Sequence, residues 1–185
     1  MRLFFAVNLP ADEQERLHRA TARLRATDLP VRWVPPENLH VTLKFLGTVA
    51  QPLVAAVRDA GARAVRDLAP FEARLGGIGA FPNVRRPRVI WVGVQDAEPL
   101  LRLHAALEQA LAPLGFAPED RAFQPHVTLG RVRDGARPGQ LARFGELAAA
   151  VEYAGLLPVR SLDLMRSELG PGGARYERIG AAPLG

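Results

Sequence analysis

Two copies of one tetrapeptide hold the side chains in this sequence that are best suited to chemistry. His40-Val-Thr-Leu43 recurs as His126-Val-Thr-Leu129, 86 residues later. Chance would place a second copy in a chain of this composition with a probability on the order of one in a thousand. We therefore interpret the chain as an internal duplication, with repeats at about residues 1–48 and 87–134.

The two histidines predict acid-base chemistry if each tetrapeptide is a β-strand. Side chains alternate along a strand, so His40 and Thr42 share one face, as do His126 and Thr128, while the Val and Leu side chains enter the core. An imidazole titrates near pH ~6.5, so one ring can act as a base while the other acts as an acid. Threonine hydroxyls can bind phosphate oxygens. This set predicts phosphoester cleavage that needs no metal.

Other chemistries find less support in the sequence. Two histidines with no Asp or Glu at ligand spacing do not make a catalytic zinc site, so neither a metal nor another cofactor is predicted. His18 and His104 lie in predicted helices without a polar partner and are interpreted as structural. Ser161 and Ser167 lie in no motif that activates a serine nucleophile.

Short strands and amphipathic helices are predicted around both motifs. Their predicted bounds are strands at Leu3–Asn8, Val89–Val94, Phe71–Leu75, Val159–Arg166 and Tyr176–Ile179, helices at Asp12–Thr27, Pro52–Leu68, Glu98–Pro113 and Pro138–Ala149, and a hairpin turn at Gly170–Gly173. This order predicts an α+β class: a duplicated bilobal fold with two antiparallel sheets, each flanked by helices, and an active-site groove between the lobes.

Composition narrows the class of protein. With 185 residues, 48% of them apolar, we expect one soluble domain that spans residues 1–185. The chain has no cysteine, which excludes a disulfide framework and a thiolate nucleophile. Nothing in the composition requires an oxidising compartment, so we expect a cytoplasmic protein. No apolar run reaches the ~18 residues of a membrane helix, so we expect no membrane partner. We expect a monomer. The net charge of +5 suits a phosphate-bearing partner, although 23 of the 24 cations are arginines, a bias that a GC-rich genome also produces.

The ordered set of motifs resembles the 2H phosphoesterase superfamily. Within it, the sequence is similar to the RNA 2′,3′-cyclic phosphodiesterase branch, historically called 2′-5′ RNA ligases. The segments that carry the resemblance are Val31–Gly47, Leu75–Pro82, Phe123–Arg131 and Arg166–Tyr176. The resemblance spans nearly the whole chain and implies a bilobal α+β fold with both motifs lining a central groove.

The resemblance also implies an activity. Members of this branch hydrolyse the 2′,3′-cyclic phosphate end of RNA to a 2′-phosphate without a metal, and some join 2′,5′ ends in reverse. By motif position, His40 would be the general acid on the leaving 3′ oxygen and His126 the general base on water.

Four further residues receive substrate-binding roles by the same resemblance. Thr42 and Thr128 would bind the phosphate, Arg131 would contact it, and Phe45 would stack on a base. The alternation of an uninterrupted strand places Arg131 and Phe45 on the face opposite the histidines. A bulge at Gly130 would bring Arg131 to the histidine face, and no feature of the first motif indicates the same for Phe45.

The sequence does not decide the roles of two sets of residues, and it is compatible with two other functions. Arg85, Arg86 and Arg88 fit either a grip on RNA backbone or a solvated loop. Trp33 fits either base stacking or a structural role in its loop. The groove could belong to a non-catalytic module that binds RNA ends or nucleotides, or to a cyclic phosphodiesterase that acts on small nucleotides.

Overall fold

An antiparallel β-sheet of nine strands carries both copies of the tetrapeptide in the computed structural model, which describes residues 1–170 and 173–185. The strands are β1 (Arg2–Asn8), β2 (Val31–Trp33), β3 (His40–Thr48), β4 (Phe71–Phe81), β5 (Val89–Gln95), β6 (His126–Val132), β7 (Ala154–Val159), β8 (Ser161–Gly170) and β9 (Gly173–Pro183). The α-helices are α1 (Ala11–Ala20), α2 (Ala22–Arg25), α3 (Val54–Val65), α4 (Glu98–Leu111) and α5 (Phe144–Ala149).

The two motif strands lie side by side in the middle of this sheet. The strand order is β7-β4-β5-β6-β3-β1-β8-β9, and β2 also pairs with β6. The sequence predicted two sheets, whereas the structure has one continuous sheet, because β3 and β6 are paired through Val41 and Val127. That residue pair joins the half of the sheet made of β7, β4, β5 and β6 to the half made of β3, β1, β8 and β9. The α+β class and the antiparallel pairing are as predicted.

The helices cover one face of the sheet. Helix α4 buries a stripe of leucines at helical spacing, Leu100, Leu103, Leu107 and Leu111, each fully inaccessible to solvent. Helix α3 packs so closely on β1 that a Cβ at Gly61 would lie 2.6 Å from the Phe5 ring. The valine and leucine side chains of both tetrapeptides enter this same core. The opposite face is left for the histidines and threonines.

Predicted and observed elements differ mainly in their bounds. The predicted helix at 12–27 is divided into α1 and α2, and the one at 138–149 into a 3₁₀ turn and α5. The strand predicted at 71–75 continues to Phe81, and no pattern in the sequence indicated β2 or β7. Strands β8 and β9 form the predicted hairpin, and Pro171 and Gly172 of its turn lie outside the described residues.

Candidate active site

The structure brings both histidines and both threonines of the motifs together on the open face of the sheet. Val41 lies directly opposite Val127, and continuing this antiparallel register places His40 opposite Thr128 and Thr42 opposite His126. Side chains that are directly opposite each other share a face. The two histidines are then diagonal neighbours, a separation of about 7–8 Å between Cα atoms in antiparallel pairs.

Both imidazoles are held in the same orientation by backbone carbonyls. The Nδ1 atom of His40 donates to the carbonyl of Asn38 at 2.7 Å, and that of His126 donates to the carbonyl of Gln124 at 2.7 Å. A carbonyl only accepts, so Nδ1 carries the proton in each ring. The lone pair of each neutral imidazole is therefore on Nε2. This is the atom that can exchange a proton with a substrate.

Thr42 has a direct contact with the first histidine. Its Oγ1 lies 3.0 Å from Nε2 of His40. The hydroxyl donates to the neutral ring, whereas the protonated ring donates to the hydroxyl. Thr42 can therefore form a hydrogen bond with His40 in both protonation states of the ring.

Each imidazole is enclosed by two aromatic rings. The centroid of the His40 ring lies 5.1 Å from that of Phe4 and 5.2 Å from that of Tyr176, while the His126 ring lies 4.9 Å from Phe81 and 6.4 Å from Trp91. The Tyr176 and Phe81 rings are nearly perpendicular to their histidines, at 89° and 81°. These aromatic rings cover part of each imidazole, and both histidines are half-buried.

Burial against these rings lowers the pKa of both histidines. The pKa of His40 falls to about 4, mainly by burial and further by the nearby charge of His126, although the hydrogen bond to Asn38 opposes the shift. Burial also lowers the pKa of His126, and the positive charge of Arg131 acts in the same direction against the hydrogen bond to Gln124. Both rings are therefore neutral near pH 7 in the free protein. A bound phosphate anion favours their protonated forms.

A β-bulge in β3 turns Phe45 to the histidine face. In the pairing with β1, Thr42 lies opposite Ala6 and Lys44 opposite Phe5, so Leu43 is an extra residue without a partner. Two successive residues, Leu43 and Lys44, are consequently buried, and alternation resumes with Phe45 exposed. The expectation that Phe45 lies on the opposite face was wrong for this reason. Its ring centroid lies 5.6 Å from that of Phe4 on the histidine face.

The same bulge occurs at the corresponding position of β6. Thr128 pairs with Trp91 and Gly130 with Ile90, which leaves Leu129 as the extra residue. Arg131 thereby reaches the histidine face and lowers the pKa of His126. The sequence placed this bulge at Gly130, one residue away from Leu129. Phe45 and Arg131 are 86 residues apart, as are the two histidines. They therefore occupy equivalent positions in the two motifs, and the bulge inferred in the second motif could also have been inferred in the first.

Phe45 lies between two grooves on this face. Its side chain is 59% exposed, although it is a large apolar residue. One groove, of about 520 Å³, is lined by Phe45, Arg2, Arg32, Trp33, Arg131 and Tyr176 among others. The other, of about 750 Å³, is lined by Phe45, Thr42, Phe81, Arg88, Phe123 and His126 among others. An exposed aromatic ring between two grooves beside the histidines offers a surface on which a base can stack.

The residues whose roles the sequence left undecided lie in different parts of the structure. Arg88 lines the second groove, whereas the backbone N–H groups of the exposed Arg85 and Arg86 donate to the side chain of Asn83. Trp33 lines the first groove and also packs on β6, where a Cβ at Gly130 would lie 2.9 Å from its ring. Its contacts therefore fit both of the predicted roles.

A polar network beside His40 was not predicted from the sequence. Asn8 is the β1 partner of His40, and its amide donates to Oδ2 of Asp163 at 2.7 Å. Asp163 is only 3% exposed and also accepts a hydrogen bond from Ser161 at 3.0 Å. The feature of the sequence that could have indicated this network is Asn8, a polar residue at the end of the largely apolar strand β1.

A buried ion pair lies on the other side of β3. The Nζ atom of Lys44 lies 2.7 Å from Oε1 of Glu108 and donates to the carbonyl of Ala117 at 2.7 Å. His104, interpreted above as structural, approaches the same carboxylate at 3.4 Å and stacks on Phe123, with 4.3 Å between ring centroids. The ion pair therefore ties β3 to α4 and to the loop that precedes His126.

Neither a cluster of metal ligands nor a membrane-spanning helix occurs in the described part of the chain. Within residues 1–170 and 173–185, no three His, Asp or Glu side chains are grouped so that they could hold a metal ion. None of the helices in those ranges combines the length and the apolar character needed to cross a membrane.

Comparison with known proteins decides the family. A sequence profile described as the 2′-5′ RNA ligase superfamily matches residues 7–171, which include both tetrapeptides. The chain belongs to this superfamily. The match confirms the resemblance to 2H phosphoesterases that the repeated motifs indicated.

Curated relatives of this superfamily member align over most of its length. It is 38% identical over 177 residues to the RNA 2′,3′-cyclic phosphodiesterase of Methanothermobacter thermautotrophicus, with 95% of each chain covered. It is 35% identical over 180 residues to the protein of the same name from Archaeoglobus fulgidus, with 97% of this chain and 98% of that one covered.

Solved structures of similar proteins share the fold. TT0787 of Thermus thermophilus superposes with a TM-score of 0.82 at 33% identity, covering 100% of this chain and 98% of that one. E. coli LigT complexed with 3′-AMP superposes with a TM-score of 0.76 at 30% identity, covering 99% of this chain and 97% of that one.

Proposed function

We propose that this superfamily member hydrolyses the 2′,3′-cyclic phosphate ends of RNA to 2′-phosphates, with His40 and His126 as the acid-base pair. The observation that carries the proposal is the pair of imidazoles on one open face, each with Nδ1 held by a backbone carbonyl, so that Nε2 is the atom that can exchange a proton. Relatives that align over most of this chain are named for the same activity.

The reaction needs one proton to enter the pair and one to leave it. Nε2 of His126 takes a proton from water as the water oxygen bonds to phosphorus. The bond from phosphorus to the 3′ oxygen breaks, and protonated His40 donates its proton to that oxygen. The products are a 2′-phosphate and a 3′ hydroxyl. When the 5′ hydroxyl of a second RNA replaces water, the same steps join the two strands by a 2′,5′ linkage.

The remaining site residues have binding roles in this proposal. The hydroxyls of Thr42 and Thr128 and the guanidinium of Arg131 bind the non-bridging phosphate oxygens, where negative charge builds up in the transition state. The hydroxyl of Thr42 also holds Nε2 of His40 until substrate arrives. Phe45 stacks on the terminal base.

An assay of single substitutions tests the proposal. RNA with a terminal 2′,3′-cyclic phosphate is incubated in EDTA with the wild-type protein, His40→Ala or His126→Ala. Loss of a general acid or base lowers the rate by about 10²-fold or more, so each variant should lose that much, while the wild type stays active in EDTA. His18→Ala, which changes a helix histidine outside the site, serves as the matched control. Full activity in either site variant would overturn the proposal.

A modified leaving group separates the two histidine roles. In a substrate whose 3′ bridging oxygen is replaced by sulfur, the leaving thiolate needs no proton. The variant His40→Ala should then recover most of its lost rate, whereas His126→Ala should not. Recovery in His126→Ala alone would reverse the two assignments.

The other functions predict different results. A non-catalytic module would bind RNA ends with an affinity that survives both histidine substitutions, and it would release no 2′-phosphate. An enzyme for small nucleotides would hydrolyse mononucleotide cyclic phosphates faster than oligonucleotide ones. Intact histidines and threonines in both motifs favour the enzyme over the binding module.

A further inference from the structure

Two arginines lie directly opposite each other beside the candidate site. Arg32 of β2 is the antiparallel partner of Arg131 of β6, so both side chains leave the sheet on the same face. Side chains in such pairs have Cβ atoms about 4.5–5.5 Å apart, and like charges at this spacing are destabilising. The pair therefore has an electrostatic cost in the free protein.

Acidic neighbours do not offset this cost. Seven other arginines form ion pairs with carboxylates: Arg16, Arg19, Arg74, Arg102, Arg143, Arg166 and Arg178. Among the residues the structure describes, neither Arg32 nor Arg131 has a carboxylate within ion-pair distance. Two guanidiniums without an ion-pair partner, carried by directly opposite residues of one groove, can bind an anion together.

Backbone hydrogen bonds hold the pair in place. Strand β2 has only three residues, yet it is fixed to β6 beyond both ends. The N–H of Val34 donates to the carbonyl of Leu129 at 2.8 Å, and that of Arg133 donates to the carbonyl of Pro30 at 2.8 Å. The opposition of Arg32 and Arg131 is thus set by the sheet and does not depend on flexible side chains meeting.

The pair lies in the first groove rather than between the histidines. With Leu129 as the extra residue of the bulge, Arg131 lies two sheet positions from Thr128, about 7 Å along the strand. Thr128 is opposite His40, so the arginine pair is displaced by that distance from the row that holds the histidine. Arg2 adds a third guanidinium to the groove, and Phe45 and Trp33 add aromatic rings. Guanidiniums beside aromatic rings bind single-stranded nucleic acid.

We propose, resting on the function proposed above, that Arg32 acts with Arg131 to bind the internucleotide phosphate that precedes the terminal nucleotide of the RNA. Arg131 contacts both this phosphate and the reacting one, whereas Arg32 contacts only the internucleotide phosphate. The first groove thereby selects cyclic phosphates at the end of an RNA chain over cyclic mononucleotides.

Substrates with and without the second phosphate test this inference. The variant Arg32→Gln should lower kcat/KM at least about tenfold on a dinucleotide 2′,3′-cyclic phosphate, mainly through KM. It should change the value for the mononucleotide less than twofold. Arg131→Gln should lower kcat/KM on both the dinucleotide and the mononucleotide. Arg63→Gln, which removes the same charge from an exposed position on α3, controls for net charge and should change neither.

A neutral linkage and a stability measurement complete the test. With a methylphosphonate in place of the internucleotide phosphate, the wild type and Arg32→Gln should have equal kcat/KM. The variant should also unfold at the same temperature as the wild type or higher, because it removes a like-charge contact. An equal loss on mononucleotide and dinucleotide, or no loss on either, overturns the inference. If the wild type hydrolyses neither substrate, the proposed function itself fails.

Discussion

Raising the pH from 6 to 8 perturbs the step that depends on both histidines. The reaction needs one proton shared by the pair, one ring being protonated and the other neutral. The pKa of His40 is about 4 in the free protein, and that of His126 is lowered below its usual 6.5. A group with a pKa of about 4 is protonated in about one molecule in a thousand at pH 7.

The lowered pKa of both rings predicts the shape of the profile. Above the pKa of His126 the pair carries no proton, so kcat/KM should fall about tenfold for each further pH unit. Both assignments of acid and base give this same fall, since the profile depends on the total protonation of the coupled pair. The profile of kcat should lie at higher pH, because the bound phosphate anion raises the pKa of each ring.

The assay measures kcat/KM for RNA with a terminal cyclic phosphate from pH 4.5 to 8.5, at constant ionic strength. Circular dichroism at each pH confirms that the protein stays folded. A profile that is flat from pH 5 to 8, or that rises through pH 7, would exclude acid-base catalysis by this pair, because neither is compatible with one proton on two rings whose pKa values are lowered.

The remaining predictions concern single side chains. Phe45→Ala should lower kcat/KM about tenfold by removing the proposed stacking surface, with only a small change in the melting temperature, because the ring is mostly exposed and contacts the buried cluster at Phe4. Lys44→Ala should lower the free energy of unfolding by about 3–5 kcal/mol in urea titrations, because it leaves the buried carboxylate of Glu108 without its partner. Gly130→Ala should lower it by about 1–3 kcal/mol, since the new Cβ would lie 2.6 Å from a β2 side chain. Gly139→Ala, with open space around the new Cβ, is the control and should show no such loss.

The face of each histidine could be predicted from the sequence because burial follows a period of two along a strand. Val41 and Val127 are fully buried, and His40 and His126 lie on the other side of the sheet. The prediction held because it concerns residues next to each other in the chain, where strand geometry alone decides.

The positions of Phe45 and Arg131 could not be derived in the same way. Alternation holds only until a bulge, and the extra residues Leu43 and Leu129 are apolar residues that fit a regular strand equally well. Their role depends on pairing with β1 and β5, which are distant in the sequence.

Contacts between distant segments explain the other differences. The single sheet depends on one residue pair between β3 and β6. The opposition of Arg32 and Arg131 depends on β2, whose three residues are too few for a periodic pattern. The burial of Lys44 depends on Glu108, a residue of α4 on the far side of the sheet.

A crystal structure with a bound RNA 2′-phosphate product would show whether both imidazoles contact one phosphate. The two-histidine mechanism predicts Nε2 of His40 within about 2.6–3.2 Å of the 3′ oxygen and Nε2 of His126 at the same distance from a phosphate oxygen on the opposite side of one phosphorus atom. A phosphate that contacts only one of the two imidazoles, or neither, would contradict it.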